Sequence, residues 1–129
     1  YPANYGFIPR TLGDDGDPLD VLVLCQEAID PLVLVRCHPI GVIRMTDGGK
    51  GDEKVIAVPF GDPSYRNVRD MDDLPAHLFE EMKHFFNVYK QLEGKETVAE
   101  AVQGRAHAAR VIREAIARYE AYREETGAL

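Results

Sequence analysis

Hydrophobic and polar positions change rhythm along this chain of 129 residues. In the first half, short runs rich in Val, Ile and Leu are separated by clusters of Gly, Pro and Asp, the pattern of strands joined by turns. Such runs occur at residues 5–8 (YGFI), 21–25 (VLVLC), 32–37 (LVLVRC), 40–45 (IGVIRM) and 54–59 (KVIAVP). DDGDP at 14–18 supplies turn chemistry between the first two. Pro39 and Gly41 predict a bulge or an edge. TDGGKGDE at 46–53 reads as a glycine-rich polar loop.

Beyond residue 70 the period lengthens. Leu74, Leu78, Met82, Phe85, Tyr89 and Leu92 recur every three or four positions and define one helical stripe. Asp72 or Asp73 is placed to cap this helix, Pro75 suits its first turn and Gly94 its end. A second helix is predicted from about residue 105 to 124. Ala108, Val111, Ile112, Ala115, Ile116, Tyr119 and Tyr122 form its inner side. No helix falls between the strands, which argues against a parallel α/β sheet. The expectation is one α+β, mainly β domain, β-rich over 1–60 and helical over 73–125. Its β part is a small barrel or a strongly curved sheet.

Composition narrows the function. A net charge of -7 gives no basic footprint for a nucleic-acid backbone, so a broad nucleic-acid partner is not expected. No run is long and apolar enough to span a membrane, and YPANYGFIPR has neither the basic nor the apolar region of a signal peptide. Cys25 and Cys37 match no Cys-x-x-Cys spacing and read as small buried residues in a reducing compartment.

The acids carry the candidate chemistry. Asp15, Asp17 and Asp20 lie at i, i+2 and i+5 of DDGDPLD, directly before an apolar strand. Three converging carboxylates would raise one another's pKa unless a cation relieved the repulsion. All-oxygen donors select hard divalent ions such as Mg²⁺, Mn²⁺ or Ca²⁺. The EF-hand pattern fails, because its sixth position would be Asp20 rather than Gly. A solvated acidic turn accounts for the same residues equally well. A second acidic loop, with Asp47 and Asp52 beside Lys50 and Lys54, adds a site-like arrangement, since lysines among acids suit an anion bridging metals. Tyr89 and Lys90 read by default as core packing and surface charge, and His38 and His84 as structural residues.

Taken together, YPANYGFIP, DGDPLDVLV, HPIGVIRMTDGGKGDEKVIAVP and HFFNVYKQLE resemble the soluble, Mg²⁺-dependent family I inorganic pyrophosphatases over about residues 1–93. The resemblance implies a small five-stranded OB-like barrel with flanking C-terminal helices. It implies Mg²⁺-dependent hydrolysis of pyrophosphate by direct attack of a metal-activated water, with Mn²⁺ or Zn²⁺ as substitutes. Asp15, Asp20, Asp47 and Asp52 would be metal ligands and Asp17 the general base. Tyr5, Lys54, Tyr89 and Lys90 would contact phosphate, and Tyr1 would support the site. A cytoplasmic homo-oligomer, hexameric by analogy, is implied too.

Two departures accompany the resemblance. The family carries a segment ahead of YPxNYG with a Lys, a Glu and an Arg in strand context, so this chain is expected to be a version shortened at its front. The family's Trp-containing short strand before the last helix has no Trp counterpart in KETVAEAVQG. The competing expectation is a non-catalytic fragment or paralogue that binds metal and pyrophosphate or assembles with a full-length partner. An OB-type binder of single-stranded nucleic acid is disfavoured by the acids standing where basic and stacking residues should be.

Overall fold

The computed structural model describes residues 3–25, 27–47, 50–92 and 97–127. Five strands form one mixed sheet: β1 (Ala3–Ile8), β2 (Leu19–Leu24), β3 (Cys37–Asp47), β4 (Lys50–Pro59) and β5 (Thr97–Gly104). Two helices accompany them, α1 (Ala76–Leu92) and α2 (Arg105–Thr126). The strand order is β1-β2-β4-β3-β5, antiparallel except for the parallel pair β2/β4. This is the expected α+β arrangement, with β1 and β5 as the outer strands.

Strand parity sorts the core into two layers. Leu22, Leu24, Ile43, Met45, Ile56 and Val58 face one side, where Val68, Met71, Leu74 and Met82 cover them. Leu19, Val21, Val23, Cys25, Val55 and Ala57 face the other, under Val111 and Ala115 of α2. Leu22, Ile40, Ile43 and Ile56 are fully buried, each worth about 1.5–3 kcal/mol relative to exposure. Residues 21–25 and 54–59 read as strands because both of their faces are covered, which makes the sequence continuously apolar.

The bulge expected at Pro39 and Gly41 is present: pairing with β4 slips there by one residue, leaving Ile40 extra. That irregularity lets Pro39 sit within a central strand. Cys25 is buried as expected, and Asn4 donates to its sulfur and accepts from Ile29 N, fastening the segment after β2. His38 stacks on Phe60 with ring centroids 3.8 Å apart, a structural role.

Four expectations are corrected. Residues 32–36 form no strand: Leu32 sits at φ 67°, and Leu32, Val33, Leu34 and Val35 are exposed. Branched apolar side chains favour a strand, but a strand needs a neighbouring ladder, and the ladder with β4 begins only at Cys37, with Arg36 O accepting from Phe60 N at 2.9 Å at its end. The polar loop at 46–53 is mostly strand, since β3 reaches Asp47 and β4 begins at Lys50. Stretch 73–125 is not wholly helical, because β5 lies within it. Thr97, Val98 and Val102 favour a strand and Ala99, Glu100, Ala101 and Gln103 do not, so pairing with β3 decides the conformation. Finally, Asp73 does not cap α1. It closes a capping box with Asp70 around the 3-10 turn Met71–Asp73. Gly94 lies outside the described residues.

Asp70 also caps at a distance. Its Oδ1 accepts from Arg105 N at 3.2 Å, supplying the side-chain cap that Gly104 lacks at the start of α2. A Cβ on Gly104 would stand 2.6 Å from that oxygen, so glycine is what admits the contact. Ile116 and Tyr122, expected on the inner side of α2, are 42% and 50% exposed, so its buried stripe is narrower than the apolar pattern. Among the described residues no helix is long and apolar enough to cross a membrane.

Candidate active site

One face of the sheet becomes charged at its end. The antiparallel register sets Phe7 opposite Asp20, and the parallel register sets Asp20 beside Lys54. Tyr5 and Asp52 are each two residues away from these along their strands, so parity puts Tyr5, Asp20, Lys54 and Asp52 on a single face. Lys54 is the hub. Its Nζ donates to Asp20 Oδ2 at 2.9 Å and Tyr5 Oη at 2.9 Å, and lies 3.1 Å from Asp52 Oδ2. The Lys54 side chain is 3% exposed, against 31% for Asp20 and 13% for Asp52. A buried ammonium is tolerated here because it meets two carboxylates and a hydroxyl.

These contacts set the proton affinities. Burial pulls the Lys54 pKa down, but the bonds to Tyr5 and Asp20 and the charge of Asp52 outweigh it, and the net shift is upward. Tyr5 as a residue is 59% exposed, yet its hydroxyl lies against Lys54 and Asp20. Burial of that end pushes its pKa up to about 12; Asp20 adds to the rise and Lys54 opposes it.

The acidic loop, residues 9–18, joins β1 to β2 and is bonded to α2 through Leu12 N and Ala115 O. Gly16 takes φ 85°, Gly16 N donates to Gly13 O at 3.1 Å, and Gly13 N donates to Asp17 O at 2.8 Å. Asp15 Oδ1 accepts from Asp17 N at 3.1 Å, an Asx turn. Asp15, Asp20 and Asp52 line a shared cleft with Asp14, Glu53, Val111 and Arg118. Asp17 is exposed and is not among the residues lining that cleft.

The predicted residues are therefore only partly assembled. Tyr5, Asp20, Lys54 and Asp52 converge, Asp15 lines the cleft with Asp20 and Asp52, and Asp17 is exposed and does not line it. Asp47 lies at the end of β3, paired with Lys50, and Tyr89 and Lys90 lie on α1; the side chains of all three fall outside what is described. Tyr1 is outside the described residues. Among the described residues no three acidic, His or Cys side chains already form a ready-made cation group. The donor chemistry nonetheless suits a divalent ion, because Asp15, Asp20 and Asp52 bring only carboxylate oxygen to one cleft.

Sequence reasoning missed Thr11. It is 2% exposed, and its hydroxyl donates to Ile8 O at 2.6 Å while accepting from Leu19 N at 3.0 Å. One side chain thus ties the last residue of β1 to the first of β2 and sets the span of the acidic loop. Nothing in a lone Thr before Leu-Gly signals this. Thr11→Val keeps the shape and leaves two backbone groups unpaired, so a loss of about 1–3 kcal/mol is expected in urea unfolding, with Thr11→Ser losing less. Equal stability of Thr11→Val and the parent chain would remove this role.

Comparison with known proteins places the chain among relatives. The family model for inorganic pyrophosphatase matches residues 1–120. The chain is similar to soluble inorganic pyrophosphatase 2 of Chlamydomonas reinhardtii, 47% identical over 93% of this chain and 62% of that protein. It is 54% identical to inorganic pyrophosphatase 1 of Pseudomonas syringae pv. tomato, over 85% of this chain and 64% of that one. It thus spans less than two thirds of either relative. Among solved structures, the inorganic pyrophosphatase of Helicobacter pylori superposes with a TM-score of 0.88 at 43% identity, covering 93% of this chain and 72% of that one. That of Thermus thermophilus gives 0.88 at 41%, covering 93% and 71%.

Proposed function

Since the chain belongs to the inorganic pyrophosphatase family, we propose that it hydrolyses pyrophosphate to two phosphates with divalent metal, preferentially Mg²⁺. The observation that carries this reading is the cleft where Asp15 meets Asp20 and Asp52, the last two held by the buried Lys54. Asp15, Asp20 and Asp52, joined by Asp47, would hold the cations. When bound, such ions lower the pKa of water and neutralise phosphate charge.

The chain's own residues do the rest. Asp17, two residues from Asp15 on the acidic loop, is assigned the proton of the attacking water on the family resemblance. Lys54 fixes the separation of Asp20 and Asp52, its three N–H groups meeting both carboxylates and the Tyr5 hydroxyl; phosphate contacts by Lys54 and Tyr5 are assigned on the family resemblance. Tyr89 and Lys90 are assigned phosphate contacts, and Tyr1 a supporting one, on the family resemblance alone. A phosphoanhydride needs no protein nucleophile, which is why carboxylates rather than an activated Ser or Cys make up the site. Cytoplasmic location and homo-oligomeric, hexameric assembly rest on the resemblance as well.

Phosphate release from pyrophosphate tests the proposal directly. Turnover is expected with Mg²⁺ and is expected to vanish on chelation with EDTA. A folded protein that binds Mg²⁺ or pyrophosphate by calorimetry yet releases no phosphate would instead support the non-catalytic alternative.

A further inference from the structure

Helix α2 touches the acidic loop at a point that the chemistry above does not use. We propose that Arg118 is a positioning residue: it holds the acidic loop in the conformation that presents Asp15 to the cleft. This rests on the metal-dependent reading above and extends it to a residue outside every motif quoted for the resemblance.

Three contacts carry the inference. Arg118 Nη1 donates to Leu12 O at 3.0 Å, Arg118 Nη2 lies 3.1 Å from Asp14 Oδ1, and Leu12 N donates to Ala115 O at 3.0 Å. The peptide groups on both sides of Leu12 are thus engaged by residues three apart on α2, which share one helix face. The loop downstream is closed by its own bonds: Gly13 N to Asp17 O, Gly16 N to Gly13 O, and Asp17 N to Asp15 Oδ1. Displacing residues 12–14 therefore carries Asp15 and Asp17 with it. Arg118 also lines the cleft beside Asp15, Asp20 and Asp52.

An ordinary surface ion pair is the competing account. Arg118 is 39% and Asp14 65% exposed, so as a pair they contribute little to stability. The carbonyl bond distinguishes the two accounts, because it fixes backbone geometry rather than merely balancing charge. Lys cannot reproduce it fully, since a single ammonium lacks the planar fork that reaches both acceptors at once.

The test compares the parent chain with Arg118→Met, which keeps the aliphatic stem, and Arg118→Lys. Amide hydrogen exchange of residues 13–17 is followed without metal, Mg²⁺ binding is titrated by calorimetry without pyrophosphate, and Tm is recorded. In Arg118→Met, exchange at 13–17 is expected to quicken and Mg²⁺ to bind about tenfold more weakly, the lower end of what outer-shell partners of metal ligands contribute. Tm should move by no more than a few degrees, and Arg118→Lys should fall between the two. Unchanged exchange and unchanged Mg²⁺ affinity in folded Arg118→Met overturn the proposal. A parent chain that binds no Mg²⁺ and releases no phosphate defeats the functional reading instead, while the metal-free exchange data still decide whether Arg118 orders the loop.

Discussion

Replacing Asp17 with Asn is expected to lower pyrophosphate turnover by about a hundred- to ten-thousandfold, the range that a positioned general base contributes. The substitution keeps shape and removes only the capacity to take a proton. The local bonds that shape the loop at this position use backbone atoms of Asp17, its N–H to Asp15 and its carbonyl from Gly13, and both survive the change. The side chain is exposed, so stability should stay within about 0.5 kcal/mol of the parent. A fall in turnover without a fall in stability is therefore the diagnostic result. Turnover within twofold of the parent would remove Asp17 from the reaction and shift attention to the carboxylates that line the cleft.

Lys54→Met should be nearly as damaging to turnover and far more damaging to the fold. Removing one preorganised donor from a site of developing charge costs about a hundred- to a thousandfold in turnover. Asp20 and Asp52 would also lose the cation they share, at about 1–3 kcal/mol for charged hydrogen bonds left unmade. Asp20 is a third exposed and can turn toward water, which keeps the estimate below that for a fully buried pair. Urea unfolding and steady-state hydrolysis measure the two effects separately. Parent-like hydrolysis by Lys54→Met would refute the hub role.

The same cluster sets an alkaline limit. Lys54 and Tyr5 both have folded pKa values above their ordinary ones, Tyr5 at about 12 against 10.0. Folding therefore retains protons that the unfolded chain releases first. Their contribution is complete below about pH 10 and is lost as pH climbs through the folded values. Stability of the parent chain should decline from pH 10 toward 12, and less steeply in Lys54→Met, where only Tyr5 remains to titrate.

Local features were legible in the sequence where one period or one residue type forces them. Residues 5–8 and 21–25 alternate or run apolar between turn residues, and they overlap most of β1 and most of β2. Pro39 cannot donate to a ladder, and the bulge lies there. The stripe from Leu78 to Leu92 has only a helical solution and lies in α1, whereas Leu74, expected on it, is extended just before the helix. DDGDPLD announces an acidic turn, and the turn is there, with Gly16 at φ 85°. By contrast, the run at 32–36 has the composition of a strand and is an exposed loop, while β5 has a mixed composition and is a strand. In both, the extent of the neighbouring ladder decides the conformation.

What the sequence determined by itself, then, is the strand character of 5–8, 21–24, 40–45 and 54–59, the two helices, the acidic loop and the residue types suited to cation and phosphate. What only the tertiary structure decided is which of them meet. Asp20 reaches Lys54 through the parallel register of β2 on β4, and Arg118 reaches Leu12 across 106 residues. Thr11 closes its loop through a hydroxyl no pattern marks. The reason is physical: side-chain period and turn preference act over a few neighbouring residues, whereas register and helix docking are settled by burying two apolar layers at once.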